Sequence, residues 1–253
     1  MPSPSAEIMS LFLPGKPKPY VMAHRGNRVA CPENTLAAFR RALEDGADIL
    51  ETDLHLTRDG VFVCIHDAAV ERTTDGRGRV DALTLAELKQ LSASCGRPEF
   101  AHERVPTLAE LAALLPPDIV LALELKTDEF CRPEVACRLV AELESLGVRA
   151  RTVALSFRME RVRAVRAVAS DLPIGYITMS NPLPNTDAQL FGPFWPLVVL
   201  NPFYARLAHA RGGLACPLDP TPDSRLWLYR LLGFDAVLTD DPAATLKALG
   251  RAG

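Results

Sequence analysis

Eight times along this chain a short apolar run is followed by a stretch with helical spacing, and few folds can absorb that alternation. The runs are Tyr20–Ala23, Asp48–Leu54, Ile119–Lys126, Thr152–Phe157, Ile174–Ile177, Leu197–Asn201, Leu214–Leu218 and Ala236–Thr239. Helical patterns are read at Thr35–Glu44, Leu108–Leu115, Glu134–Leu146, Met159–Ala169, Asp187–Leu190 (a poor one), Tyr204–Ala210, Ser224–Leu232 and Ala243–Leu249. Parallel strands need a crossover between them, and a helix is the usual one. Eight strand–helix units in 253 residues predict an α/β fold of the TIM (β/α)8 barrel type, as one domain over 1–253. The rival, an open doubly wound sheet, needs a Gly-rich phosphate loop after its first strand, where Gly26 stands alone.

A ninth run, Val61–Ile65, follows the second strand after only Thr57-Arg58-Asp59-Gly60. That turn is too short for a parallel crossover, so the two runs must pair as a hairpin. Folding the chain back about the turn puts Asp53 roughly opposite His66 and returns that histidine to the barrel mouth. Residues 67–106 then read as a small insertion, rich in turn residues, with one amphipathic helix at Leu85–Leu91. Long insertions at a barrel mouth commonly shape a binding site.

Active sites of such barrels lie at the carboxyl ends of the strands. His24-Arg25-Gly26 closes the first, Glu51-x-Asp53 the second and Glu124-x-Lys126 the third, while His66 arrives by the hairpin. Alternation along a strand aims Glu51 and Asp53 to one side. Each residue alone has an ordinary structural explanation. Together, three carboxylates aimed into one mouth would repel one another strongly at low dielectric, which a hard cation relieves. An all-oxygen ligand set favours Mg²⁺ or Ca²⁺. Arg25 and Lys126 beside it suit a phosphate-bearing substrate, and two histidines supply a proton acceptor and a proton donor near neutral pH. His55 and His209 are read as structural.

Net charge narrows the partners. At −3 it sets up no field that would draw the chain onto nucleic acid. The exception is Arg149 to Arg166, where an apolar stripe of Met159, Val162 and Val165 leaves Arg158, Arg161 and Arg163 largely on the opposite side; a solvated helix face and a contact with anionic lipid both fit. Six cysteines without a CxxC pair suit a reducing compartment. No segment approaches the ~20 apolar residues needed to span a bilayer, and Ile8 to Leu13 is too short for a signal-peptide core. Residues 1–8 look structureless, so Met9 is a possible start. The expectation is a cytoplasmic enzyme acting on a small-molecule phosphodiester, without stable membrane insertion.

The stretch A-H-R-G-x-x-x-x-x-P-E-N-T-L-A-A-F from Ala23, followed by E-T-D-L-H-L-T-R-D-G-x-x-V-x-x-H-D from Glu51, resembles the glycerophosphodiester phosphodiesterase family. E-R-T-T-D-G-R-G, P-T-L-A-E-L, E-L-K and L-T-D-D-P follow in family order to Pro242. The resemblance implies metal-dependent hydrolysis of glycerophosphodiesters to glycerol 3-phosphate and an alcohol. It matches Glu51, Asp53 and Glu124 to metal ligands, His24 and His66 to a catalytic acid/base pair, and Arg25 and Lys126 to phosphate contacts. Pro32-Glu33-Asn34-Thr35 and Asp240-Asp241-Pro242 are explained by helix initiation, with Asn34 also a candidate for touching metal or substrate. One departure stands out: the family's W-T-V-N before the last strand aligns here with Cys216-Pro217-Leu218-Asp219. An aromatic wall is missing and Pro217 is expected to break the local ladder. Either the alcohol side of the pocket is wider, or Phe191, Phe194, Trp195, Phe203 or Tyr204 fills it. Two rivals remain: a phospholipase of lysolipids or phospholipids, and an inactive barrel that binds phosphodiesters.

Overall fold

The computed structural model describes residue 13 and residues 15–251; the expectations for residues 1–12 fall outside them. The strands are β1 (Tyr20–His24), β2 (Ile49–Leu56), β3 (Phe62–Cys64), β4 (Val120–Leu125), β5 (Thr152–Ser156), β6 (Ile174–Thr178), β7 (Leu190–Pro193), β8 (Leu214–Ala215) and β9 (Ala236–Thr239). The helices are α1 (Leu36–Glu44), α2 (Leu85–Leu88), α3 (Leu108–Ala112), α4 (Pro133–Ser145), α5 (Met159–Val168), α6 (Trp195–Leu200), α7 (Tyr204–His209), α8 (Leu226–Leu231) and α9 (Pro242–Ala248). Eight strands run parallel in the order β8-β7-β6-β5-β4-β2-β1-β9, and β3 pairs antiparallel with β2. This is a nearly closed (β/α)8 barrel.

Side-chain alternation divides the apolar residues between two cores. Met22, Ile49, Val120, Val153, Leu190, Leu214 and Leu238 point inward and fill the barrel. Val21, Leu50, Leu121, Ala154, Phe191 and Val237, one residue out of phase, pack outward on the helices. A third, smaller cluster holds the segment after β3 together around Val70, Val80, Leu88 and Val105. Its helix is shorter than expected, ending at Leu88, and opens on a capping box between Thr84 and Glu87.

The seventh strand corrects the sequence reading. Leu197–Asn201 is not a strand, and no helix forms at Asp187–Leu190; β7 is Leu190–Pro193, and Leu197 to Leu200 belong to α6. A short apolar run does not reveal its own period. Here Leu197 and Val198 are both buried while Val199 and Leu200 are both exposed, which is helical spacing rather than alternation. Pro196 in the first turn fits a helix start. In β7, Phe191 faces the helices while Leu190 lies in the barrel interior and Gly192 beside its cleft.

Pro217 does not break its ladder on the β7 side, contrary to expectation. Cys216 N–H donates to Phe191 O at 2.9 Å and Leu218 N–H to Pro193 O at 2.8 Å, on either side of the proline. Ala215 turns its backbone groups to Asp235 instead, and strand alternation puts the missing donor of Pro217 on that same side, where the barrel closes. That seam is bridged by Asp235 N–H to Ala215 O at 2.9 Å and by Asp240 N–H to Pro220 O at 2.8 Å. The Asp235 carboxylate reinforces its lower end, accepting from Ala215 N–H at 2.9 Å and lying 2.8 Å from His209 Nε2 and 2.6 Å from Lys18 Nζ.

The arginines of α5 are paired with acids. Arg158 and Arg161 reach Asp128, while Arg163 and Arg166 reach Asp187. Counting also Glu160, 3.9 Å from Arg158, three acids offset most of the charge of these four arginines, which favours a solvated face over a lipid contact. Among the described residues, no helix is long and apolar enough to cross a membrane, and the six cysteines are free.

Candidate active site

Register brings the predicted residues together. His24 of β1 is the partner of Glu51 in β2, and Asp53 is the partner of Glu124 in β4. The hairpin supplies His66 with a shift of one residue from expectation. Ile65 N–H donates to Asp53 O at 3.0 Å, so Ile65 rather than His66 stands opposite Asp53. The reason is the turn: Thr57 N–H bonds Val61 O, leaving a three-residue loop of Arg58, Asp59 and Gly60, with Gly60 at φ 77°. His55, read as structural, places a ring nitrogen 3.1 Å from the His66 carbonyl and steadies that return.

Two non-glycine residues with positive φ stand at the mouth, Arg25 at 58° and Asn34 at 54°, and they hold each other. Asn34 N–H donates to Arg25 O at 3.0 Å, while Arg25 N–H donates to the Glu51 carboxylate at 3.0 Å. Between them Gly26 has φ 80°, and a Cβ there would lie 2.6 Å from the backbone of Ala38 in α1. Only glycine allows that approach. Strained backbone is retained where surrounding contacts over-determine it. Asn34 uses its side chain on a carboxylate: Nδ2 donates to Asp53 Oδ2 at 2.9 Å, and Thr52 Oγ1 donates to Asn34 Oδ1 at 2.7 Å. It holds Asp53 in place. Thr35 caps α1, as the helix-initiation reading required.

Glu51, Asp53 and Glu124 are all buried, and ligand oxygens from the three lie within 4.8 Å of one another. At that spacing each pair of full charges costs about 3–4 kcal/mol, even with the screening effective in proteins. Lys126 Nζ sits 2.9 Å from Glu124 Oε1 and 3.4 Å from Asp53 Oδ1; Arg25 Nε is 3.1 Å from Asp53 Oδ2. Two cations face three carboxylates, and Arg25 is shared with Glu33. The imbalance falls on Glu51: burial, then the charges of Asp53 and Glu124, push its pKa well above the ordinary carboxylate range. Burial also pushes Glu124 up, while for Asp53 burial is outweighed by Arg25 and Lys126, which hold it down. Asp53 Oδ1 is buried without a hydrogen-bond donor. An oxygen met only by the Lys126 ammonium at 3.4 Å, within a cluster short of positive charge, fits a cation.

Each histidine leans on an aspartate. His24 Nδ1 is 2.6 Å from Asp240 Oδ1, and His66 Nδ1 is 2.6 Å from Asp67 Oδ1. An ionised carboxylate only accepts, so each Nδ1–H donates and leaves Nε2 free for proton exchange. Burial lowers both imidazole pKa values, against the opposing pull of these acids. His24 lines a cleft of about 450 Å³ with Glu51 and Glu124, whose remaining walls include Leu155, Tyr176, Gly192, Cys216 and Leu218. His66 lies in a smaller neighbouring crevice with Glu33 and Asn34. None of the five aromatics proposed to replace the missing wall lines the cleft; Tyr176 of β6 does.

Sequence reasoning missed Asp240 and Asp67, and also Glu33, which joins Arg25, Arg28 and Arg72 in ion pairs. Helix initiation does not account for Asp240, since Asp241 performs that duty by capping α9. Asp67 stood beside His66 in the same motif, and that adjacency was the available signal.

The comparisons agree with this geometry. Residues 24–244 match the model of the "Glycerophosphoryl diester phosphodiesterase family". A glycerophosphodiester phosphodiesterase of Caldanaerobacter subterraneus is 34% identical over 93% of this chain and 100% of its own. Among solved structures, an Oleispira antarctica phosphodiesterase in complex with the product sn-glycerol-3-phosphate superposes with TM-score 0.82 at 28% identity, covering 92% of this chain and 97% of that one. A glycerophosphodiester phosphodiesterase from Agrobacterium tumefaciens, 24% identical, shares the fold with TM-score 0.77 over 90% of this chain and 99% of its own. A (β/α)8 barrel carrying these acids and histidines at its strand ends, matched from His24 to Ala244, belongs to the glycerophosphoryl diester phosphodiesterase family and is an enzyme of that class.

Proposed function

We propose that this enzyme hydrolyses glycerophosphodiesters to glycerol 3-phosphate and an alcohol, with Glu51, Asp53 and Glu124 holding a divalent cation and His24 and His66 exchanging protons. The observation that carries the reading is the buried triad of carboxylates, short of positive charge, set beside two histidines anchored through Nδ1. The all-oxygen set suits Mg²⁺ or Ca²⁺. When bound, such an ion supplies Lewis-acid polarisation of a phosphate oxygen. The chain's own groups do the rest. Arg25 and Lys126, both already drawn to Asp53 at the mouth, neutralise charge that builds on phosphate oxygens in the transition state. One histidine accepts a proton at Nε2 from the attacking group, a water or the substrate's neighbouring hydroxyl, and the other, protonated, delivers one to the departing alcohol oxygen; where the hydroxyl attacks, water then opens the cyclic phosphate.

Cleavage of lysolipids or phospholipids uses the same chemistry on a larger alcohol, and the apolar walls of the cleft keep that alternative in view. An inactive binding barrel is disfavoured because no position of the triad or the histidine pair is substituted. The test is release of glycerol 3-phosphate from glycerophosphoethanolamine after exhaustive chelation, with and without Mg²⁺ or Ca²⁺ added back. Activity should vanish and return. Glu51→Gln should weaken metal binding yet keep the melting temperature, since it relieves repulsion in the metal-free triad. Full turnover in excess chelator overturns the metal assignment.

A further inference from the structure

The two histidines stand in different crevices, yet the acids behind them are tied to one buried carboxylate. On the first arm, Asp240 Oδ1 meets His24, its Oδ2 lies 3.7 Å from Arg28, and Arg28 lies 3.0 Å from Glu33 Oε2. On the second, Asp67 Oδ1 meets His66 while its Oδ2 accepts from Arg72 Nε at 2.5 Å. Arg72 then grips Glu33 with both terminal nitrogens, at 2.9 Å and 2.8 Å. A third arm runs through Arg25, which donates to Glu33 Oε1 at 2.9 Å and lies 3.1 Å from Asp53 Oδ2. Three guanidiniums therefore converge on one carboxylate that is only 7% exposed.

Helix initiation accounts for Pro32, Asn34 and Thr35 but not for this. A cap residue needs no buried charge, and Thr35 already caps α1. Without Glu33 the three like charges would repel, and nothing else described spans from the support of His24 to the support of His66. We propose that Glu33 is a positioning residue: through Arg28 and Arg72 it fixes Asp240 and Asp67, and so orients both imidazoles without touching substrate. This rests on the reading that His24 and His66 exchange protons. The two arms differ in stiffness. The two-nitrogen grip of Arg72 is short and directional, whereas Arg28 reaches Asp240 only at 3.7 Å, so His66 depends on the hub more than His24 does.

The experiment is a cycle of variants in the metal-loaded enzyme, with kcat and KM measured separately on glycerophosphoethanolamine. Glu33→Gln should lower kcat by about 10²-fold, the scale of a small misplacement of catalytic groups, and change KM far less. In an Asp67→Asn background, where the His66 support is already lost, the same substitution should cost much less, because groups acting as a unit are not additive. The downfield proton resonance of His66 Nδ1–H should shift in Glu33→Gln, and that of His24 should shift less. Arg72→Lys, at an exposed position, keeps the charge but loses the two-nitrogen grip; it should repeat the pattern should Glu33→Gln fold poorly. Additive losses, unmoved Nδ1 protons, or a Glu33→Gln kcat within twofold of the parent while His24→Ala and His66→Ala are inactive overturn the hub. Near-full turnover in the histidine variants overturns the acid/base reading and this proposal with it.

Discussion

His24 works from a buried position, and burial favours its neutral form. Asp240 opposes that pull and selects the tautomer, so the residue is best described as a pair with its acid. His66 and Asp67 form a second such pair with a more open imidazole. On the proposed roles, His24→Ala and His66→Ala should each cost at least ~10²-fold in kcat, the usual scale for losing general acid–base help. The double variant should be little worse than either single. Initial rates on glycerophosphoethanolamine check this, and a single variant turning over at the parent rate removes that residue from the proton exchange. That the candidate residues meet at one mouth was legible because strand alternation and strand ends are local properties that spacing records. Asp240 was not, since its partner lies 216 positions away and its neighbour Asp241 offered a sufficient local reason for acids there. Glu33 was hidden in the same way, as part of a helix start that Thr35 explains.

At the scale of elements, β6, β7 and the segment after β8 supply one apolar stretch of the cleft wall, beside Met22, Leu155 and Leu238 of β1, β5 and β9. Gly192 and Cys216 put little bulk there, and Tyr176 supplies the aromatic surface instead. If this side receives the departing alcohol, Cys216→Trp should narrow it. Relative kcat/KM across a panel from glycerophosphoethanolamine to lysophospholipids should then fall selectively for the bulkier members; unchanged ratios would show that position 216 has no bearing on substrate choice. The same region is where the sequence was misread. The run Leu197 to Leu200 is apolar enough for a buried strand, and only tertiary burial, two residues in and two out, reveals a helix. The true strand, Leu190–Pro193, carries a glycine and a proline, which depress its strand signal. Elements with many periods, such as β2, β4 and α4, were placed to within about two residues, the ordinary uncertainty of helix and strand ends.

For the whole molecule, count and alternation were enough to predict a barrel, because eight parallel strands with crossovers leave few arrangements. What they did not disclose is that the ring is uneven. Seven neighbouring strand pairs are joined by parallel ladders, whereas β8 and β9 meet through two backbone hydrogen bonds, the Asp235 carboxylate and a proline with no proton to give. Amide protons report that difference directly. In hydrogen–deuterium exchange, the backbone around residues 214–220 and 235–240 should lose protection before that of β1, β2 and β4, since local opening begins where hydrogen bonds are fewest. Asp235→Asn should accelerate exchange at Ala215 and leave β4 unchanged. Uniform protection around the ring would mean the joint is as tight as the rest. With an unequal ring, thermal motion has a preferred place to widen the barrel, and Cys216 and Leu218, on the segment that continues β8, also form part of the cleft wall. The compliance of one joint would thus set how far the pocket can stretch around a large guest.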